Sequence, residues 1–273
     1  MKGISFGQYY PANSIIHKMD PRFKILVATA FIVATFLCKS AVSFAALLCI
    51  GLALVFISQI PFKTIVRSIA PLLFIIAFTV VINIFFGTGE QLLVEFWKIR
   101  IYAEGLWRAL FMFLRIFVLI VATSIFLTYT TTPMDLTDAL ESLMAPLKLI
   151  HVPVHVFAMM MSITLRFIPT LTEETEKIMN AQKARGADFV SGSLMKRVKA
   201  LIPILIPLFS SAINRATQLA DAMECRCYHG GEGRTRLNVM KWHASDVIYM
   251  LISIAICIGL VLLNQIQLGY VMN

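Results

Sequence analysis

The sequence predicts an all-α membrane protein, with about five transmembrane helices plus a cytoplasmic domain of long amphipathic helices. Three observations lead there. Hydrophobic residues make up 59% of the 273 residues and charged ones 14%, where globular chains average about 45–50% and about 25%. The mean hydropathy is +0.81. Apolar runs recur along the chain, separated by short polar breaks. The basic excess, 24 Lys and Arg against 15 Asp and Glu for a net +9, gathers in segments that one threading through the membrane places on the same side. In a membrane protein that pattern follows the positive-inside bias and does not call for nucleic acid. The predicted organisation is an N-terminal membrane domain over 1–128 with about four spans, a cytoplasmic domain over 129–243, and a last transmembrane helix with a short tail over 244–273.

Residues 1–22 are polar and mixed, with no cleavable signal peptide evident. Asp20-Pro21-Arg22 reads as a helix start: Asp caps, Pro suits the first turn, and Arg22 and Lys24 hold the cytoplasmic side. Apolar residues run from Ile25 to Leu37 and again from Ala41 to Ile57. The pieces form either one tilted helix or a hairpin of two short spans, and the cost of Lys39 in mid-bilayer favours the hairpin. Ser58 to Ser68 reads as a polar turn, and Ile69 to Phe86 as the third span. Gly87 to Gly105 is charged and aromatic, suited to the outer interface. Leu106 to Leu127 is the fourth span; Arg115 within it is either paired inside the bundle or turned to a partner protein.

From Thr128 the character changes. Thr132-Pro133 with Asp135 and Asp138 reads as a capped helix start, and Leu136, Leu140, Leu143, Leu147 and Ile150 form one apolar stripe. Residues 154–168 and 200–212 are apolar but short and proline-bounded, and read as helices at the membrane face or on partner protein. Pro169 is expected to open a helix that carries Glu173, Glu174 and Glu176 at its positive end and Lys183 and Arg185 at its negative end, with Gly186 in the left-handed cap position. Pro203 and Pro207 are expected to interrupt the next apolar piece, after which Leu208 to Arg226 runs as a helix. Val247 to Leu263 is the final span.

The chain has no Gly-x-x-x-x-Gly-Lys-Ser/Thr, so no P-loop for ATP, and neither His-Glu-x-x-His nor Gly-x-Ser-x-Gly. Its five cysteines lack framework spacing. Cys225, Cys227 and His229 resemble a fragment of a metal site, but structural zinc takes four ligands at wider spacing, so small residues near a helix end is the reading preferred. The fourteen methionines serve either as a pliable protein-binding surface or as ordinary packing.

Two short motifs echo each other: Ala181-Gln182-Lys183-Ala184-Arg185-Gly186 and Ala222-Met223-Glu224-Cys225-Arg226-Cys227. Each reads Ala-x-x-small-Arg-small near a helix end. An arginine in a last turn satisfies terminal carbonyls, yet that alone leaves the small neighbours unexplained. Small neighbours let a partner's backbone approach while the guanidinium makes several directed hydrogen bonds.

With these motifs, Asp20-Pro21-Arg22, Thr132-Pro133-Met134-Asp135-Leu136 and Leu165-Arg166-Phe167-Ile168-Pro169, nearly the whole chain resembles the transmembrane (T) component of energy-coupling factor transporters, the EcfT and CbiQ-like family. The resemblance implies that 129–243 is a coupling domain. It implies two X-Arg-X motifs that end coupling helices and dock in two ABC ATPase subunits of the EcfA and EcfA' type: Ala184, Arg185 and Gly186, then Cys225, Arg226 and Cys227. The family usually has Ala-Arg-Gly at both places, and here the second is Cys-Arg-Cys. It further implies a small membrane substrate-binding S component that captures a vitamin or transition-metal ion. This chain would then be non-catalytic and hold no cofactor, ATP and Mg belonging to its partners. Two other classes remain: a permease that binds substrate within its own helices, with Asn83 and Arg115 as the polar candidates, and a membrane enzyme using Cys225, Cys227 and His229.

Overall fold

A computed structural model of the chain describes residues 9–86, 92–96, 99–189, 193–230 and 243–265. Its internal contacts divide it into two bodies, Met1–Ala139 with Met240–Asn273, and Leu140–Val239. The fold is all-α apart from one small hairpin.

In the first body, the four-residue α1 (Ile15–Lys18) is capped by Ser14 and leads into α2 (Pro21–Leu37). Asp20 caps α2 through its Oδ1, which accepts the Arg22 N–H at 2.8 Å, with Pro21 in the first turn. The chain turns at Lys39 and Ser40 into α3 (Ala41–Ser58), the hairpin that the charge at Lys39 favoured. Asn264, in the short turn after α10 (Ala244–Leu262), staples that hairpin. Its Oδ1 accepts the Lys39 and Ser40 N–H groups at 2.9 and 3.3 Å and the Ser43 hydroxyl at 2.9 Å. Its Nδ2 donates to the Leu37 carbonyl at 2.6 Å.

The expected turn over Ser58–Ser68 is instead largely a helix, α4 (Phe62–Ile69). Ile65 and Ile69, one turn apart, are buried, while Lys63 and Arg67, also one turn apart, are exposed. That period of 3.6 outweighs the polar composition. α5 (Leu73–Phe86) follows a short 3₁₀ turn at Pro71. The outer segment contributes an antiparallel pair, β1 (Leu92–Phe96) and β2 (Ile99–Tyr102), with Glu95 opposite Arg100 in register. Trp97 and Lys98 of that segment, like the basic stretch 232–242, lie outside the described residues.

α6 (Ala103–Thr123) is the central element: α2, α3 and α5 all pack on it, and α10 packs on α2. Gly51 permits the approach of α3, because a Cβ there would stand 3.2 Å from Val118 Cγ1. Phe44 and Phe111 stack with ring centroids 4.7 Å apart. Arg115 is paired inside the bundle: its Nη2 donates to the Cys38 carbonyl at 2.6 Å and its guanidinium lies 5.3 Å from the Phe44 ring centre. The outside of this body is apolar, with Phe56 and Phe74 80% and 77% exposed, as suits a lipid-facing surface.

Thr132 caps α7 (Pro133–Leu143), accepting the Asp135 N–H at 3.2 Å and donating to Asp135 Oδ2 at 2.6 Å. The stripe expected over Leu136 to Ile150 does not run as one helix. α7 ends at Leu143 and a 3₁₀ turn covers Ala145–Ile150, because Pro146 has no N–H with which to continue the α-helical ladder.

The second body is dominated by α8 (Val154–Ala184) and α9 (Leu194–Glu224), 31 residues each. Both correct the sequence reading, since Pro169 lies inside α8 and Pro203 and Pro207 inside α9. An interior proline costs about 3 kcal/mol. A long helix packed on a neighbour offsets that through its contacts, which carry most helical stability in proteins. The apolar pieces 154–168 and 200–212 are thus parts of longer rods. Among the described residues six helical stretches, including all of α8 and most of α9, are long and apolar enough to cross a membrane, but these two have the lowest mean hydropathy, 1.5 and 1.3 against 2.3–2.6 for the others. α2, at 17 residues, falls just short of that length.

Asn264→Ala removes a cap that bonds four groups of the α2–α3 turn. The expected outcome is a loss of about 2 kcal/mol, since each net hydrogen bond is worth about 0.5–1.5 kcal/mol. It is read as a lowered thermal unfolding midpoint in detergent; an unchanged midpoint would show that the turn holds without its staple.

Candidate coupling site at two helix ends

The two arginine motifs share one backbone solution. At the end of α8, the Gly186 N–H donates to the Lys183 carbonyl at 2.9 Å and the Ala187 N–H to the Gln182 carbonyl at 3.0 Å. At the end of α9, the Cys227 N–H donates to the Glu224 carbonyl at 2.9 Å and the Tyr228 N–H to the Met223 carbonyl at 3.1 Å. Both are Schellman caps, with the paired bonds that close a helix through a left-handed residue. Arg185 and Arg226 each occupy the cap position. Gly186 at φ +86° and Cys227 at φ +58° each supply the left-handed residue that follows. Gly186 bears this conformation without penalty; Cys227 bears it at a cost, because a Cβ crowds the backbone there.

Ala184, Arg185, Gly186, Cys225, Arg226 and Cys227 are all exposed. Among the described residues, no ion pair engages either guanidinium. The Arg185 backbone N–H is bound to the Ala181 and Gln182 carbonyls, so the caps are satisfied by main chain. The side chains are left over for something else.

The two rods meet at a polar contact. Glu174 on α8 accepts from the Ser211 hydroxyl and, at 3.1 Å, from Arg215 Nη2 on α9. The Ser211 hydrogen bond, followed by the Arg215 guanidinium, holds the Glu174 carboxyl below the usual carboxylate range against some desolvation. Beside this contact lies an apolar cleft of about 350 Å³ lined by Ile163, Phe167, Leu171, Ala216 and Met223 among others. The spacing is symmetrical. Arg185 stands eleven residues beyond Glu174, and Arg226 eleven beyond Arg215. At a helical rise of about 1.5 Å per residue, each tip lies about 16 Å past the contact along its own helix. The motifs were legible in sequence. The contact between Glu174, Ser211 and Arg215 was not, although the repeated interval of eleven, from Glu174 to Arg185 and from Arg215 to Arg226, was there to be read.

Cys225, Cys227 and His229 form no metal-holding group: among the described residues no cluster of three or more His, Cys, Asp or Glu side chains has that arrangement. His229 Nδ1 lies 2.8 Å from the Cys227 carbonyl. The polar candidates for an internal substrate site are also engaged. Asn83 Nδ2 donates to the Thr79 carbonyl on its own helix at 2.8 Å, and Arg115 is bound at Cys38.

Residues 12–237 match the family described as CbiQ, cobalt transport protein. A protein of Listeria innocua named energy-coupling factor transporter transmembrane protein EcfT is 45% identical over 260 residues, covering 95% of this chain and 97% of its own. The chain belongs to the CbiQ and EcfT family. EcfT proteins of Thermosediminibacter oceani and Lactococcus lactis subsp. cremoris agree. The first is 48% identical over 90% of this chain and 92% of its own length, and the second 45% identical over 98% and 100%. The chain is therefore a transmembrane component of an energy-coupling factor transporter, and its helical membrane body is that of an EcfT-family protein.

The left-handed positions make a paired prediction. Gly186→Ala meets open space, with nothing within 4 Å of the added Cβ, so only the backbone cost of about 1 kcal/mol applies. Cys227→Gly relieves the corresponding cost, less the entropy of a freer unfolded chain. The expected outcome is faster amide exchange in the last turn of α8 for the first variant and slower exchange in the last turn of α9 for the second. Equal exchange in both would show that the caps do not depend on these residues.

Proposed function

We propose that this chain is the non-catalytic coupling subunit of its transporter, and that Arg185 and Arg226 are the points at which two ABC ATPase subunits of the EcfA and EcfA' type grip it. The observation that carries this reading is the duplicated helix end: two caps of one geometry, each presenting an exposed arginine between small residues, each the same distance beyond the contact of two long helices. Two equivalent tips suit two homologous sockets. Small neighbours at Ala184 and Gly186, and at Cys225 and Cys227, let a socket wall close on the backbone. The guanidinium then supplies directed, charge-assisted hydrogen bonds.

In this mechanism ATP binding draws the two ATPases together. Their sockets carry the tips, and the angle between α8 and α9 changes. A small membrane S component resting against the subunit reorients and releases a vitamin or a transition-metal ion. ATP and Mg are held by the ATPases, and no cofactor belongs to this chain. Coupling requires that the ATP-bound state favour one angle over the other. The subunit lies in the cytoplasmic membrane with its amino terminus and the helix tips on the cytoplasmic side, where basic residues of 1–24, 58–68 and 129–243 gather. The internal bonding of Arg115 and Asn83 counts against a permease that binds substrate itself.

Arg185→Glu or Arg226→Glu is expected to weaken ATPase attachment, since losing a buried charge-assisted contact at an interface costs about 2–5 kcal/mol. The check is co-purification of the ATPases and the S component from membranes expressing the whole set. The double variant recovering its ATPases at wild-type yield would end this account, as would ATP hydrolysis by the isolated chain.

A further inference from the structure

On the way from the membrane body to the coupling helices the chain runs through α6 and α7. There α6 loosens into a π-helical turn, Ser124–Tyr129, before Thr132 caps α7. Such turns concentrate at functional positions, and the carbonyls at a helix end need partners from elsewhere.

Three separate parts of the body supply partners here. The Tyr10 N–H donates to the Tyr129 carbonyl at 3.0 Å. The Tyr129 hydroxyl donates to the Thr64 carbonyl of α4 at 3.2 Å. The Lys24 ammonium donates to the Thr130 carbonyl at 2.7 Å and to the His17 carbonyl, near the end of α1, at 3.2 Å. Tyr129 is fully buried, and Lys24 is only 2% exposed. The carboxylates that act on its charge come from three helix starts: Asp20 before α2, Asp135 in the first turn of α7, and Asp246 in that of α10. His243 lies 3.7 Å from Asp246 on α10.

A buried cation is expensive, and well-packed apolar residues often stabilise as much or more. What the cation adds here is a directed bond to the Thr130 carbonyl, between the π-helical turn and α7, with a second to the His17 carbonyl. Resting on the coupling role proposed above, we infer that Lys24 is a positioning residue for energy coupling. It pins the root of the coupling segment at Thr130, so that motion imposed on the coupling helices is taken up beyond α7 and does not run back into α6. Beyond α7 the chain has a place to yield, where His151 sits at φ +59° ahead of Pro153.

The test uses the full complex with its ATPases and S component in lipid nanodiscs. Amide exchange over 124–132 is followed by mass spectrometry without nucleotide and with ATP and vanadate. In the wild type, exchange over 124–132 should be the same in both states. In Lys24→Met, nucleotide should raise it about tenfold, with complex yield and ATP turnover within about twofold of wild type. Lys24→Arg, which keeps a donor, should restore the wild-type pattern. Lys24→Gln takes the place of the methionine variant if that one fails to assemble. The inference is overturned if 124–132 stays equally protected in the variant, or if its exchange rises by the same factor with and without nucleotide, which marks a merely structural bond. A wild-type chain that recruits no ATPase overturns the coupling reading first, and this inference with it.

Discussion

Hydrocarbon offers no hydrogen bonds, and that constraint sorts the polar groups of this chain into two kinds. Inside the membrane body the protein itself supplies partners for several: the Cys38 carbonyl for Arg115, the Thr79 carbonyl for Asn83, the α2–α3 turn for Asn264, and two helix-end carbonyls for Lys24. For those within the spans, Arg115 and Asn83, the alternative is an unsatisfied group in a medium without water. Arg185 and Arg226 are the opposite case. Their backbones are fully capped, their side chains are exposed, and no carboxylate pairs with them among the described residues. In a chain whose Lys24 and Arg115 bond internal carbonyls, two exposed arginines in equivalent caps are the feature on which the proposed ATPase contact rests.

Much of this was legible in residue types because it depends on local chemistry. Lys39 marked the break between α2 and α3, since a charge there is costly wherever the helices lie. Gly186 marked the end of α8, since glycine alone enters the left-handed region freely. The prolines misled for the complementary reason. Pro169, Pro203 and Pro207 read as stops under a local rule, but the tertiary packing of α8 on α9 outweighs one missing hydrogen bond each. Pro146, inside a convincing apolar stripe, did stop its helix, because α7 is short and little packing lies beyond Leu143 to hold it together. Asn264 looked like part of a tail; its role depends on α10 returning beside the α2–α3 turn, a fact of topology that spacing does not carry.

The second motif shows how far a pattern survives substitution. Cys-Arg-Cys differs from Ala-Arg-Gly at both flanks, yet the α9 end repeats the paired cap bonds of the α8 end. The requirement is the shape of the cap and small bulk beside the arginine, and cysteine meets the second while straining at the first. The strain at Cys227 is modest, of the order of 1 kcal/mol, and is a cost that a functional helix end tolerates when the surrounding bonds fix its geometry.

A lever transmits force only if it is stiff along its arms and fixed at its root. The arms are stiff here because α8 and α9 run unbroken through their prolines and are joined at Glu174, Ser211 and Arg215. Two helices interrupted at Pro169 and Pro207 would flex between tip and contact and absorb the displacement. Fixity at the root is a separate demand, and it falls on the one stretch where α6 loses regular hydrogen bonding. A π-turn by itself is soft. Here it is bound by Tyr10, Thr64 and Lys24. On the proposed coupling role, the same need for internal partners that disciplines the polar groups in the membrane body also decides where the moving part of the molecule begins.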